Sequence, residues 1–128
     1  MYFEMLKSDR EFKYIYSKGK SFANKKLVLY YIYNKNAAPK VGISVSKKVG
    51  KAVKRNYLRR IIKENLRNKF ELKKNISIIL IVRVGADDLN YDTMGKSMNH
   101  IFKKCGLLEN KRGDDKDKIA VKISSDAD

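Results

Sequence analysis

Cysteine and histidine, the side chains that most often form disulfides, bind metals or transfer protons, each occur once in this sequence. Cys105 cannot form an internal disulfide, so a reducing compartment is expected. Long apolar segments are missing as well: the longest aliphatic run, Ile78 to Val82, is far shorter than the roughly 20 residues that span a bilayer. The first residues show no basic segment followed by a long apolar one. We therefore expect no secretion signal and a cytoplasmic location.

Acidic residues are also scarce, with 14 Asp and Glu against 30 Lys and Arg and a formal net charge of +16. Like charges at this density repel one another and oppose a compact state, so a polyanionic partner is the simplest explanation. Nucleic acid is the first candidate, and an anionic membrane surface is the second. The membrane hypothesis is much the weaker, because no amphipathic helix with large exposed apolar residues can be found.

The composition predicts one folded domain followed by a tail. A chain of 128 residues, of which 43% are hydrophobic, suffices for one domain with a modest core and argues against general disorder. From Glu109 onward the sequence is polar and of mixed charge. We predict a single domain over residues 1–108 and a disordered polar tail over residues 109–128.

Two segments outside the most basic region carry helix signals. Ser8 and Glu11 have the spacing of a capping box, so we predict a helix over about residues 9–18. Near the end of the domain, Asn90 or Asp92 can cap a second helix. Its apolar residues recur on one stripe, which consists of Met94, Met98, Ile101, Phe102 and Cys105.

Three longer segments carry strand signals. Residues 26–34 (KLVLYYIYN) are apolar on both sides, so either both faces pack on the core or the Tyr-rich side is an open binding face. Residues 41–46 (VGISVS) alternate cleanly, and we expect them to pair with residues 26–34 as a hairpin. Residues 76–84 (ISIILIVRV) are almost continuously apolar, which is typical of a strand in the middle of a sheet. A short fourth strand is expected near residues 20–23.

The segment from Lys47 to Arg67 (KKVGKAVKRNYLRRIIKENLR) combines nine Lys or Arg residues with a single acid, Glu64. We predict a helix over about residues 52–70. At about 100° per residue, its cations and one amide fall within an arc of roughly 140°, beside an arc of large aliphatic residues. The cationic arc contains Arg55, Asn56, Arg59, Arg60, Lys63 and Arg67, and the aliphatic arc contains Leu58, Ile61, Ile62 and Leu66. The charge continues toward the helix N-terminus, which itself favours anions, through Lys47, Lys48, Lys51 and Lys54.

This helix is either a solvated surface element or a ridge that binds nucleic acid. Solvated helices usually mix charges of both signs and gain pairs between successive turns, whereas this one has almost no acids. Arg forks and an Asn amide suit contacts with phosphate and 2′-hydroxyl groups. Because the whole chain is basic as well, nucleic-acid binding is the stronger hypothesis.

The sequence gives weak support to catalysis by the chain's own side chains. The carboxylates are scattered, with Glu64 on the basic helix and Asp87 and Asp88 in a loop. His100 lies beside the Met-rich stripe, and we interpret it as a surface histidine rather than a base. Cys105 is interpreted as a core residue. We therefore expect no catalytic residue and no metal site on this chain.

The segment from Ser44 to Glu64 (SVSKKVGKAVKRNYLRRIIKE) resembles the signature of the bacterial ribonuclease P protein family. That signature is a strand ending in Ser-x-Ser-Lys-Lys, then Gly, then Arg-Asn-x-x-Lys/Arg-Arg on a helix. The flanking segments LKSDREFKYIYSKGK and IILIVRVGADDLNYDTMGKSMNHIFKK resemble the family's first helix and its last strand and helix. The resemblance extends from about Leu6 to Leu108.

The resemblance implies an α+β fold like that of some ribosomal proteins. It is a two-layer sandwich with a four-stranded mixed sheet and three helices. A left-handed βαβ crossover leads from residues 41–46 through the basic helix to residues 76–84. General physics favours the right hand in about 98% of such connections, so the left hand is taken from the resemblance alone.

The resemblance also implies a protein cofactor of a ribonucleoprotein endonuclease. In this family the RNA subunit performs the Mg²⁺-dependent hydrolysis that removes the 5′ leader of precursor tRNA, and Mg²⁺ is bound mainly by that RNA and the substrate. The protein binds the RNA subunit and holds the leader, and no membrane or small-molecule partner is expected. By motif position the RNA contact falls on Arg55, Asn56, Arg59, Arg60 and Lys63, with Lys47, Lys48 and Lys51 nearby and Lys54 and Arg67 on the same ridge. The leader cleft contains Phe12, Tyr16, Val28, Tyr30 and Arg83.

The aromatic residues of this cleft could stack bases without reading their sequence, although Phe12 could equally pack in the core. Two positions depart from the family pattern: Tyr57 stands where many members have Arg, and Lys63 replaces a frequent Arg. Lysine keeps the charge but loses the bidentate fork. The alternative function is that of a ribosomal or other structured-RNA-binding protein without a processing role.

Overall fold

The computed structural model describes residues 1–86 and 88–109 of the chain. Asp87 and residues 110–128 lie outside it, and with them almost all of the predicted tail. The elements are β1 (Glu4–Met5), α1 (Asp9–Lys18), β2 (Lys20–Ala23), β3 (Leu27–Tyr33), β4 (Lys40–Val45), α2 (Ala52–Lys69), β5 (Ile76–Val82) and α3 (Tyr91–Cys105). The α+β class, the mixed sheet and the helices are confirmed, while the two-residue β1 was not predicted.

β5 occupies the middle of the sheet, whose strand order is β1-β4-β5-β3-β2. It pairs in parallel with β4 and antiparallel with β3. The predicted hairpin between β3 and β4 is therefore wrong, because β5 lies between them. β5 is buried along nearly its whole length, so a central position covers both of its faces and pairs both of its backbone edges. β3 forms its hairpin with β2, which is the predicted short strand.

The connection from β4 through α2 to β5 is left-handed. Val41 of β4 directs its side chain into the core beneath α2, and its carbonyl accepts from the Leu6 N–H beyond β1 at 2.9 Å. Consider β4 viewed from α2 with the strand running upward. In a strand of L-residues, a side chain that points toward the viewer requires the carbonyl of the same residue to point to the right. β1 therefore lies to the right of β4. β5 then lies to the left, which makes the crossover left-handed. The hand implied by the resemblance is confirmed, against the general preference.

Each face of the sheet buries its own core. On one face α2 and α3 cover the large core, to which β3 contributes Leu27 and Leu29. On the other face Ile15 of α1 packs in a smaller cluster with Leu6 and Ile79. The two sides of β3 therefore differ. Its leucine side packs on the large core, and its other side is half-buried and only partly covered by α1.

Helix limits follow the local signals. The Ser8 side chain accepts from the Glu11 backbone N–H at 3.2 Å, and the Glu11 carboxylate accepts from the Ser8 N–H at 3.3 Å, so the capping box of α1 is confirmed. The Asn90 side chain caps α3 by accepting from the Thr93 N–H at 2.9 Å. α2 ends one residue before its predicted limit, where Phe70 turns into the core.

Gly42 allows α1 to lie directly on the sheet. A Cβ atom at this position would be 2.6 Å from Cε1 of Phe12 and 2.9 Å from Cδ1 of Leu6, both far below van der Waals contact. The missing side chain therefore makes room for the Phe12 ring against β4, and the position of α1 depends on it.

We expect Gly42→Ala to destabilise the fold by about 1–3 kcal/mol, because the added methyl group overpacks the contact with Phe12. Ser21→Ala is the matched control, since Ser21 is exposed on β2 and should change stability by about 0.5 kcal/mol at most. Urea unfolding monitored by circular dichroism measures both variants. Equal stability of Gly42→Ala and the wild type would show that α1 does not press on Gly42.

Candidate nucleic-acid interface

The two predicted arcs of α2 separate onto different sides of the helix. Leu58, Ile61, Ile62 and Leu66 are all buried in the large core. The cations lie on the flank and are exposed or half-buried. We call the following residues the basic ridge: Lys47, Lys48, Lys51, Lys54, Arg55, Asn56, Arg59, Arg60, Lys63 and Arg67.

Local contacts orient the arginines at the start of the ridge. Nε of Arg55 donates to the Gly50 carbonyl oxygen at 3.1 Å, which ties the ridge to the loop that enters α2. The guanidinium carbon of Arg60 lies 5.4 Å from the centre of the Tyr57 ring, in the range of a cation–π contact. Tyr57 itself packs against the large core. Tyr57, which departs from the family pattern, thus supports the Arg60 guanidinium through this contact.

The ridge has few counter-charges. Lys54 lies within electrostatic range of Asp88 and has further interactions. No other ridge cation forms an ion pair with a carboxylate of residues 1–86 or 88–109. Arg59 donates to the neutral Oδ1 of Asn56 at 3.1 Å. Because the first turn of α2 also lacks acids and its N-cap Lys51 makes no side-chain capping bond, the surface favours an external anion.

Aromatic rings gather where α1 crosses the sheet. The ring centres of Phe12 and Tyr16 are 6.4 Å apart, and those of Tyr16 and Tyr30 are 4.9 Å apart in an edge-to-face arrangement. Burial raises the pKa of Tyr16, and Tyr30 adds to the rise, whereas a hydrogen bond with Ser44 opposes it. Tyr16 still exposes 39% of its surface, so its ring is both held in place and accessible. Phe12 also packs against the small core.

Beyond α1, the same face of the sheet is only partly covered. Val28 of β3 lies opposite Ile81 of β5, which in turn lies opposite Ser44 of β4. Arg83 follows directly after β5, and its Nη1 donates to the Asn24 carbonyl oxygen at 2.8 Å. The structure therefore brings the five residues predicted for the leader cleft to one face of the sheet and its edge. We call these five residues the aromatic cleft.

The aromatic cleft and the basic ridge meet at one end of the sheet. β4 and β5 end at a shared pair, so the loop that leads into α2 begins beside Arg83. Nearby, Oδ1 of Asp88 accepts from Nζ of Lys26 at 2.8 Å, a bond that lowers the pKa of Asp88, and Lys54 lowers it further. Lys47 and Lys48 follow shortly after β4, so the ridge begins at the same end of the sheet as Arg83.

Three residues at this surface were not among the predicted site residues: Ser44, Asn24 and Lys26. The alternation of VGISVS indicates that Ser44 lies on the polar side of its strand, and this signal could have placed it in the cleft. Asn24 and Lys26 lie in the turn between β2 and β3. Their relation to Arg83 depends on the pairing of β3 with β5, which the sequence did not predict.

The histidine and the cysteine of the chain both lie on α3. No cluster of three His, Cys, Asp or Glu side chains within residues 1–86 and 88–109 could hold a metal ion. His100 is exposed, with its ring centre 6.4 Å from that of Phe22. Cys105 is partly buried beside Tyr31, and burial raises its thiol pKa. Among the described helices, none has the length and hydrophobicity of a membrane span.

The family model for Ribonuclease P matches residues 2–106, which is most of the chain. The chain belongs to the ribonuclease P protein family. A curated relative from Clostridioides difficile, the Ribonuclease P protein component, is 46% identical over 104 residues, covering 80% of this chain and 91% of the relative. The protein of the same name from Streptococcus agalactiae is 40% identical and covers 80% and 94% respectively.

Solved structures agree with this assignment. The RNase P protein of Staphylococcus aureus superposes with a TM-score of 0.75 at 36% identity, covering 82% of this chain and 97% of its own. The RNase P protein of Thermotoga maritima gives a TM-score of 0.71 at 30% identity, covering 79% and 96%. The chain is therefore a protein component of RNase P, an endoribonuclease of tRNA processing. This membership implies the RNase P RNA as its partner.

We expect the double variant Arg55→Ala/Arg60→Ala to remain folded, losing about 1–2 kcal/mol of stability. It removes one hydrogen bond to Gly50 and one cation–π contact, both near the surface. Leu58→Ala on the buried side of the same helix should cost about 2–5 kcal/mol. Urea unfolding compares the three proteins. A double variant as unstable as Leu58→Ala would mean that the ridge belongs to the core.

Proposed function

We propose that this chain binds the RNase P RNA through the basic ridge and holds the 5′ leader of precursor tRNA in the aromatic cleft. The observation that carries the proposal is that the ridge begins, at Lys47 and Lys48, at the end of the sheet where Arg83 follows β5. An RNA bound on the ridge and a strand lying in the cleft would approach each other at Arg83. This arrangement suits a protein that joins a structured RNA to a single-stranded segment of its substrate.

Charge on the ridge supports the first half of the proposal. Its cations have almost no carboxylate partners among the described residues, so they gain little within the free protein. Neutralising RNA phosphates releases counterions, and this supplies much of the affinity of basic proteins for nucleic acids. The arginines held by Gly50 and Tyr57 would lose less freedom on binding than freely rotating side chains.

The geometry of the cleft supports the second half. Tyr16 is held by its contacts with the Tyr30 and Phe12 rings, yet it remains accessible. A ring of this kind can stack a base of any identity, at about 1–3 kcal/mol per base. Val28 forms an apolar floor beside it, and Arg83 can contact phosphate. The cleft therefore suits leaders of varied sequence.

We assign the chemistry of the cleavage reaction to the RNA subunit. The Mg²⁺ ions expected for this family do not fit the described part of the chain, because its carboxylates gather nowhere in a group of three. We therefore place the metal ions on the RNA and the substrate and derive no catalytic step from the protein's side chains. The protein would act by binding and orienting the substrate in a cytoplasmic ribonucleoprotein.

We expect binding to the RNase P RNA to weaken steeply with salt. If the ridge neutralises about six phosphates, the logarithm of affinity should fall with the logarithm of salt concentration with a slope of about −5. Arg60→Ala should reduce the steepness by about one unit, whereas Lys96→Ala on α3, outside the ridge, should leave the slope unchanged. Filter binding over a salt series measures the slopes. A wild-type slope near −1 would contradict ridge binding.

We expect the chain to restore cleavage of precursor tRNA by the cognate RNase P RNA at low Mg²⁺, where the RNA alone is slow. Single-turnover assays with RNA alone, protein alone and both together measure this. Tight RNA binding without restored cleavage would favour the alternative of an RNA-binding protein without a processing role.

The assay with protein alone tests whether the protein itself cleaves RNA. A solved Staphylococcus aureus RNase P protein is described as a mutant with defective mRNA degradation activity, and it is 37% identical to this chain with a TM-score of 0.75. Cleavage by the protein alone, with contaminating nuclease excluded, would contradict our assignment of chemistry to the RNA.

A further inference from the structure

Asn24 connects three elements through its side chain. Its Oδ1 accepts from the backbone N–H groups of Lys26 at 3.0 Å and Leu27 at 2.8 Å, which shapes the turn between β2 and β3. Its Nδ2 donates to the Ser97 carbonyl oxygen at 3.1 Å and lies 3.3 Å from Nδ1 of His100, both on α3. Because backbone N–H groups only donate and a carbonyl only accepts, the orientation of the amide is fixed.

Arg83 is bound to the same turn at two points. Its backbone N–H donates to the Lys26 carbonyl oxygen at 3.0 Å. Its Nη1 donates to the Asn24 carbonyl oxygen at 2.8 Å. A guanidinium has five N–H donors in a rigid plane, so a bond from Nη1 restrains the group and leaves the other donors available.

We propose that Asn24 is a positioning residue that orients the Arg83 guanidinium for contact with the leader phosphates. The inference rests on the proposed leader binding. α3 holds the Asn24 amide, the amide holds the turn, and the carbonyl oxygen of the turn holds Arg83. Asn24 touches neither RNA nor the scissile bond in this scheme, and it acts only through Arg83.

Asparagine is the residue type that this role requires. Aspartate would keep both acceptor bonds within the turn and the contact of Oδ1 with the Ser97 hydroxyl at 3.4 Å. It could not donate to the Ser97 carbonyl oxygen, which its charge would face. Serine can also support the turn, more weakly, but its side chain is too short to reach α3. Both changes therefore remove the bond that the turn donates to α3 while leaving acceptors for the turn itself.

The experiment compares reconstituted holoenzymes on two precursor tRNAs, one with a leader long enough to fill the cleft and one with a single-nucleotide leader. Binding and single-turnover cleavage are measured for the wild type, Asn24→Asp, Arg83→Ala and the double variant. Asn24→Ser serves as a second variant in case Asn24→Asp folds poorly. Asn36→Asp is the matched control, because the Asn36 amide also donates to backbone, to the Ile76 carbonyl oxygen at 3.0 Å, at the opposite end of β5.

We expect Asn24→Asp to weaken binding of the long-leader substrate by about 3- to 10-fold, which corresponds to one hydrogen bond. Binding of the short-leader substrate should not change, and Asn36→Asp should bind both substrates like the wild type. The double variant should lose no more than Arg83→Ala alone, because both changes remove the same contact. A merely structural defect would affect both substrates equally.

Two results would overturn the inference while leaving leader binding intact. One is full leader preference in both Asn24→Asp and Asn24→Ser, and the other is additive losses in the double variant. A wild type that binds long and short leaders equally would instead contradict the proposed leader binding, and the inference with it.

Discussion

Burial of β5 on both faces is the interaction on which the rest of the structure depends. A strand of large aliphatic residues gains about 1.5–3 kcal/mol for each one removed from water, and here both sides must be covered. α2 and α3 cover one side and α1 covers part of the other. The uncovered part of the second side becomes the floor of the aromatic cleft. Because α1 covers only part of this side of β5, the remainder forms the surface that we assign to the leader.

α2 meets a second constraint, because the helix that covers β5 also carries most of the ridge. Its aliphatic side is buried, and its cations lie on the flank with few carboxylate partners. Mutual repulsion of these cations opposes folding of the free protein, and bound RNA would offset it. A protein of this kind should accordingly gain stability on assembly, since a ligand that binds only the folded state stabilises it.

Local sequence signals predicted the elements well and their arrangement less well. The capping box at Ser8 and the periodicity of α2 depend on neighbours a few residues apart, so the sequence contains them in full. The predicted hairpin between β3 and β4 is wrong because β5, which is distant in the chain, pairs with both of them. Asn65 shows the same limit: it is fully buried, and its Nδ2 donates to the Ile61 carbonyl oxygen at 2.8 Å and the Tyr91 carbonyl oxygen at 3.0 Å. The helical periodicity places it among the aliphatic residues, but its partner on α3 is distant in the chain.

The sequence by itself determined the charge, the two arcs of α2, the types of the main elements and the residues of the ridge, because each follows from composition or from helical and strand periods. Only the tertiary structure decided that β5 separates β3 from β4, that Gly42 admits the Phe12 ring, and that Asn24 lies between α3 and Arg83. These depend on contacts between segments far apart in the chain, where packing and hydrogen bonding, rather than local propensity, select the neighbours.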